Sequence, residues 1–234
     1  MSADRHPNHR TRNSFLRLPL VGILLLSFPV AWAGIITEAT RTFTVGTDIA
    51  DVQDPPVSFL QTITDSGIAS LTRVDIGLNL VGRDSGGFAG EMFVSLNKNL
   101  SLTSVLANRV GFSGTDSIGL PYDGWNVTFS DLAASDLHTV VQTSGVLTGT
   151  YQPDGRTDPT GSLRPELLSV FAGETGNGDW RLNVADLGVG GTMRLVGWSL
   201  TLTGVEIPEA NTYAAGIAVI LAVGGAWWRR TRRR

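Results

Sequence analysis

The sequence predicts an all-β fold, a single β-sandwich, and three observations lead there. Apolar residues alternate with polar ones at a period of two in several separate runs, the signature of strands with one buried face. Glycine-rich breaks separate these runs, and no long amphipathic helical stretch lies between them. The composition, with 28 Gly and 10 Pro and only 17% charged residues, suits strands joined by tight turns.

The clearest run is Val74, Ile76, Leu78 and Leu80, alternating with Arg73, Asp75, Gly77 and Asn79. Met92, Val94 and Leu96 repeat the pattern, as do Trp125, Val127 and Phe129, and then Trp180, Leu182 and Val184. Turns are expected at residues 83–87, 111–119, 153–155 and 173–178. Near the end of the domain Met193 and Leu195 share one parity, whereas Trp198, Leu200 and Leu202 take the other. A β-bulge at Val196-Gly197 would bring both sets to one inward face. Trp180 and Trp198, at period-two strand positions, read as core rather than as a sugar-stacking platform.

The two ends read as addresses. Residues 18–33 carry no charge, follow an arginine-bearing start and lead to Ala31-Trp32-Ala33, so residues 1–33 form a signal peptide with signal peptidase cutting between Ala33 and Gly34. The folded domain then spans 34–206, and a tail spans 207–234. Within the tail, residues 213–228 are uncharged and, as a helix rising about 1.5 Å per residue, would cross roughly 24 Å of the inner membrane. Trp227 and Trp228 would sit among headgroups, with the arginines of 229–234 on the cytoplasmic side. Immediately before this helix stand Ile207, Pro208, Glu209 and Ala210. Motif, helix and basic end together resemble the PEP-CTERM sorting signal, with Ile207 and Ala210 where the commonest form has Val and Pro. The resemblance implies recognition near Pro208-Glu209 by an exosortase-type membrane protease or transpeptidase. The chain would be anchored transiently before it reaches the cell surface or extracellular matrix.

Charge and residue inventory exclude several functions. Residues 34–206 hold nine basic against 19 acidic residues, a surface that repels nucleic-acid phosphates. With no cysteine there are no disulfides, thiolate metal sites or cysteine nucleophiles. His138 is the one histidine beyond the signal, too little for a triad or a zinc site, and it reads as a surface or strand-edge residue. Asp48, Asp51 and Asp54, or Asp154 and Asp158, could serve calcium or a two-carboxylate glycosidase, yet neither group has a defining motif, and solvated turn aspartates are the default. No catalytic residue is assigned, and calcium stays open as the one cofactor. Asp186, at a strand end, is expected to cap the turn toward Gly188 and Gly191.

From Phe171 onward the chain also resembles the P domain, or homo B domain, of proprotein convertases. The elements that carry the resemblance are Phe171, Gly173, Gly178, Trp180, Leu182, Val184, Asp186, Gly191, Trp198 and Leu200. The strands at 74–80 and 92–96, the turn at 105–111, Asp131-Leu132-Ala133 and residues 149–154 extend it over most of 45–204. The chain departs where the family has a histidine ending one strand and Asp-Leu opening the next: here stand Asn79 and Glu91-Met92. The resemblance implies a jelly-roll-like sandwich. Two functions follow as expectations. One is a non-catalytic surface or matrix module that binds exopolysaccharide or a secreted protein, and the other is an accessory domain that stabilises a secreted protease.

Overall fold

A computed structural model describes residues 36–83, 87–113, 118–121, 123–141, 144–206 and 210–232. The chain divides into two units, 1–33 and 34–234, of which the first lies wholly outside the described residues. The expected signal peptide and its cleavage site at Ala31, Ala33 and Gly34 therefore lie outside them, as do Ile207, Pro208 and Glu209 of the sorting motif.

The described residues form nine strands: β1 (Ile36–Ile49), β2 (Val57–Ile63), β3 (Ile68–Gly82), β4 (Met92–Lys98), β5 (Leu102–Asn108), β6 (Gly124–Phe129), β7 (Val146–Tyr151), β8 (Gly178–Asp186) and β9 (Met193–Glu206). They form a five-stranded sheet in the order β1-β9-β3-β6-β7 and a four-stranded sheet in the order β2-β8-β4-β5. All pairings are antiparallel except β6 with β7, which run parallel. Two sheets with apolar inner faces packed on one another are the sandwich that the alternation predicted.

The inner faces consist of the residues picked out by periodicity. Val74, Ile76, Leu78 and Leu80 of β3, Met92, Val94 and Leu96 of β4, Trp125, Val127 and Phe129 of β6, and Trp180, Leu182 and Val184 of β8 are all buried in one cluster. The bulge is present as well. Between β3 and β9 the register steps from Asn79↔Gly197 to Leu80↔Leu195, which leaves Val196 as the extra residue. Met193, Leu195, Trp198, Leu200 and Leu202 are consequently all buried. On the opposite edge, β1 slips between Thr44 and Thr47 to stay paired across the same bulge.

Trp180 shows how a large side chain is held. It is fully buried, its indole N–H donates to the Gly176 carbonyl at 3.2 Å, and Phe171 meets it edge-on with ring centroids 5.2 Å apart. On the neighbouring strand Lys98 lies opposite it, with Nζ 5.7 Å from the ring centroid and 3.4 Å from Glu174 Oε2. The buried lysine thus lays its aliphatic stem against the core while its ammonium is met by a π face and a carboxylate.

The tail requires a correction. A helix α1 (Ala210–Thr231) forms at the expected place, but among the described residues no helix is long and apolar enough to cross a membrane. The described side chains of α1 run from Leu221 to Trp228 before Arg229 and Arg230, include Gly224 and Gly225, and cover about 12 Å at the helical rise. The side chains of 210–220, on which the expected span depends, lie outside the described residues.

Because Trp180 fills the centre of the sandwich, Trp180→Ala is expected to destabilise the domain by about 3–5 kcal/mol in equilibrium urea denaturation. A platform residue on the surface would lose almost nothing.

Candidate functional site

The outer face of the five-stranded sheet carries a shallow surface trough. Register places residues of adjacent strands side by side, so one row runs Thr42, Ser199, Gly77, Thr128, Thr150 across all five strands. The next row runs Thr44, Gly197, Asn79, Asn126, Thr148. Neither row contains a charge. Charges begin on either side of them, where Arg73 pairs with Glu38 at 3.3 Å and with Asp75 at 2.8 Å, and where Arg194 pairs with Asp48 at 2.7 Å. A trough of about 410 Å³ follows the two neutral rows, with Gly77 and Gly197 as its floor. Gly197 is required sterically, because the atom it would meet is backbone, whereas at Gly77 the Ser199 hydroxyl could turn aside. A Cβ on Gly77 would stand 2.3 Å from Ser199 Oγ, and one on Gly197 would stand 2.7 Å from the Phe43 carbonyl oxygen.

A second cluster gathers residues that the sequence left separate. Asp154, expected in a solvated turn, is fully buried. Its Oδ1 accepts from Arg156 at 2.7 Å, its Oδ2 accepts from the Asn108 backbone N–H at 3.0 Å, and His138 Nδ1 lies 3.3 Å from the same Oδ2. Arg156 also donates to Asp136 Oδ2 at 2.9 Å and to the Gly161 carbonyl at 3.0 Å, while Arg164 donates to Asp154 O and to Gln152 Oε1. His138 sits in a 3-10 turn (Leu137–Thr139) with its side chain 19% exposed, so it is a member of this network rather than a free surface residue. Burial works to lower the basicity of Arg156, but the hydrogen bonds it donates to Asp136 and Asp154 overcome it and hold the guanidinium more basic than usual. Two carboxylates facing two guanidiniums balance in charge, and the cluster clamps the irregular segment 152–166 against β5. Asp158 does remain a turn residue, taking hydrogen bonds from the backbone and hydroxyl of Thr160 that lower its pKa.

The third feature is a carboxyl pair at the end of β4 and β8. Glu91, in the 3-10 turn Ala89–Glu91, and Asp186 are both buried, and Glu91 Oε2 and Asp186 Oδ2 have no hydrogen-bond partner among the described residues. Asp186 Oδ1 accepts from the Gly188 N–H at 3.2 Å, which is the expected turn cap. The Glu91 carboxyl occupies the space a Cβ on Gly188 would need, since that atom would be 2.0 Å from Glu91 Cδ. Burial first, then the charge of Asp186, pushes Glu91 from 4.5 up to about 7, with Arg109 opposing. Burial likewise raises Asp186 from 3.8 to about 6, against the Gly188 N–H. The calcium candidates do not converge: Asp48 pairs with Arg194 at 2.7 Å, Asp51 accepts from the Gly190 N–H, and among the described residues no group of three His, Cys, Asp or Glu could hold a metal.

Sequence reasoning missed Asp136, Arg156 and Arg164, whose partners are distant in sequence or lie in irregular backbone. Glu91 and Asn79 were visible as departures from the P-domain pattern, without a role attached.

Two tests follow. Arg156→Met leaves Asp154 buried without its cation, and is expected to cost about 3–5 kcal/mol in denaturant titration and to open 152–166 to limited proteolysis. The folded state holds the Glu91 and Asp186 protons more tightly than the unfolded chain does. The pair's contribution to stability is therefore full below the unfolded values of 4.5 and 3.8 and is lost as pH rises through about 7 and 6. Thermal midpoints measured across that range should decline for wild type and decline less for Glu91→Gln.

Comparison with known proteins places these features in context. The family model for the proprotein convertase P-domain matches residues 141–202, from just before β7 into β9 and including Trp180, Asp186 and Trp198. No curated protein matches the chain. Among solved structures, the chain is similar to the crystal structure of the Aeromonas sobria serine protease in complex with its chaperone ORF2, at 18% identity and a TM-score of 0.44, over 74% of this chain and 28% of that one. It is also similar to the infectious bursal disease virus VP2 subviral particle, at 14% identity and a TM-score of 0.32, over 73% of this chain and 33% of that one. The chain thus spans a third or less of the solved chains it matches.

Proposed function

We propose that this chain is an exported, non-catalytic module whose P-domain-like sandwich acts as an accessory domain that stabilises a secreted protease. The observation that carries this reading is the P-domain match over residues 141–202. The residues within it that carry the resemblance in sequence, Trp180, Leu182, Val184, Asp186, Trp198 and Leu200, are buried, so what the chain has in common with the family is a core that holds a shape. A module of this kind works through its surface, and a large exposed face with no charge in its two central rows is available for contact.

A second reading is favoured by that neutral face together with the tail. In it the domain is a surface or matrix module that adheres to exopolysaccharide. Ile207, Pro208, Glu209 and Ala210 form the handle for an exosortase-type enzyme, after signal peptidase has released the chain at Gly34. Calcium, if taken up at all, would serve the turns rather than a reaction.

Affinity capture of the exported protein from culture medium tests the first reading directly. A secreted protease is expected to co-purify, and its thermal inactivation should accelerate when the module is removed. Capture of matrix polysaccharide with no protease would overturn that reading in favour of the second. For the second, the captured protein should begin at Gly34 and lack 213–234, whereas Glu209→Ala should accumulate with the tail intact. Identical processing of both would remove the sorting proposal.

A further inference from the structure

We propose that the trough on the outer face of the five-stranded sheet binds a strand of uncharged polysaccharide, lying across β9, β3 and β6 and held by Asn79, Asn126, Thr128 and Ser199. This names the ligand class and the site for the second reading above and rests on it.

The chemistry of the lining selects the ligand. An anionic polymer needs cations, and the two rows offer none. The cations on either side of the rows are already engaged, Arg73 by Glu38 and Asp75 and Arg194 by Asp48. A cationic ligand would find no carboxylate within the rows, and the flanking Asp75 and Asp48 are each paired with an arginine. An apolar peptide would have to strip water from hydroxyls and amides without replacing their hydrogen bonds, at a cost for each group left unpaired. Hydroxyl and amide side chains do match a ligand that is itself a lattice of hydroxyls, because each can donate and accept.

The shape points the same way. Adjacent strands lie about 4.8 Å apart, so neighbouring members of a row repeat at roughly the length of one pyranose, and a chain crossing the strands would meet equivalent groups on successive sugars. Gly77 and Gly197 keep the floor low along that line, with no Cβ to lift the ligand off the sheet. Asn79 and Asn126 stand directly opposite one another on β3 and β6 and present two amides to the same side. Amides at this position stabilise neither strand by packing, since Asn126 is exposed and Asn79 half-buried, yet they put four donor and acceptor groups at the trough wall.

The test is affinity electrophoresis of the exported protein through gels cast with dextran, with a linear β-glucan, or with alginate. Retardation by a neutral glucan, unchanged when ionic strength is raised, is expected, with none by alginate. Asn79→Ala combined with Asn126→Ala should weaken that binding about tenfold, as the loss of two or more neutral hydrogen bonds implies, while the thermal midpoint stays at the wild-type value. Gly77→Trp, which fills the trough, should abolish it. If Gly77→Trp does not fold, the asparagine pair alone decides. Failure of both neutral glucans to retard the protein, binding to alginate only, or retention by the asparagine double variant equal to wild type would each overturn the proposal. None of these outcomes touches co-purification with a protease or processing at Glu209, so the broader readings stand or fall separately.

Discussion

Everything in this domain depends on where β9 lies. It is the second strand of the larger sheet, paired with β1 on one side and β3 on the other, and it contributes Met193, Leu195, Trp198, Leu200 and Leu202 to the core. A strand that strictly alternated could not do this, because Met193 and Leu195 would face the core while Trp198 and Leu200 faced solvent. The extra residue at Val196 resolves the conflict, and its neighbour Gly197 is what lets β1 approach at that point. The bulge that completes the core on the inner side is therefore also part of the trough floor on the outer side. One local irregularity serves both faces of the sheet.

The fold was legible because its information is periodic. Alternation at 74–80, 92–96, 125–129 and 180–184 depends only on local sequence, and the break in parity before Trp198 revealed the bulge without any knowledge of partners. The clamp around Asp154 was not legible, for a physical reason. Asp136, Asp154, Arg156 and Arg164 belong to turns and irregular chain, where no periodicity reports burial, and an aspartate in a Pro-Asp-Gly turn is ordinarily solvated. Only the three-dimensional path of the segment 152–166 over β5 turns it into a buried acid. His138 was misread for the same reason, since its partner is named by folding and not by spacing.

The two positions at which the chain departs from the P-domain pattern acquire meaning together with the structure. Asn79 ends up on the outer face beside Asn126, and Glu91 ends up buried beside Asp186. In both places a polar residue sits where sequence alone offered only a mismatch. The Glu91 carboxyl carries a further constraint, because it occupies the volume over Gly188, so that glycine is fixed by its neighbour rather than by its own backbone angle. The buried acid and the turn are one unit, and neither can change independently of the other.

The position of β9 also sets an order of events. The first strand, residues 36–49, pairs with nothing but β9, residues 193–206, so its hydrogen bonds wait for the last strand of the domain. β3 waits for the same partner along most of its length. A chain whose central pairings join its two ends must close its largest loop before those contacts form, and such topologies fold slowly, on the order of milliseconds to seconds. A polypeptide that passes through a membrane pore from its N-terminus would keep β1 without a template until β9 begins to emerge at residue 193, whereas β3 could already pair with β6 over Ile76–Val81. The edge strand β1 is thereby the last part of the larger sheet to be paired, although it is the first to arrive.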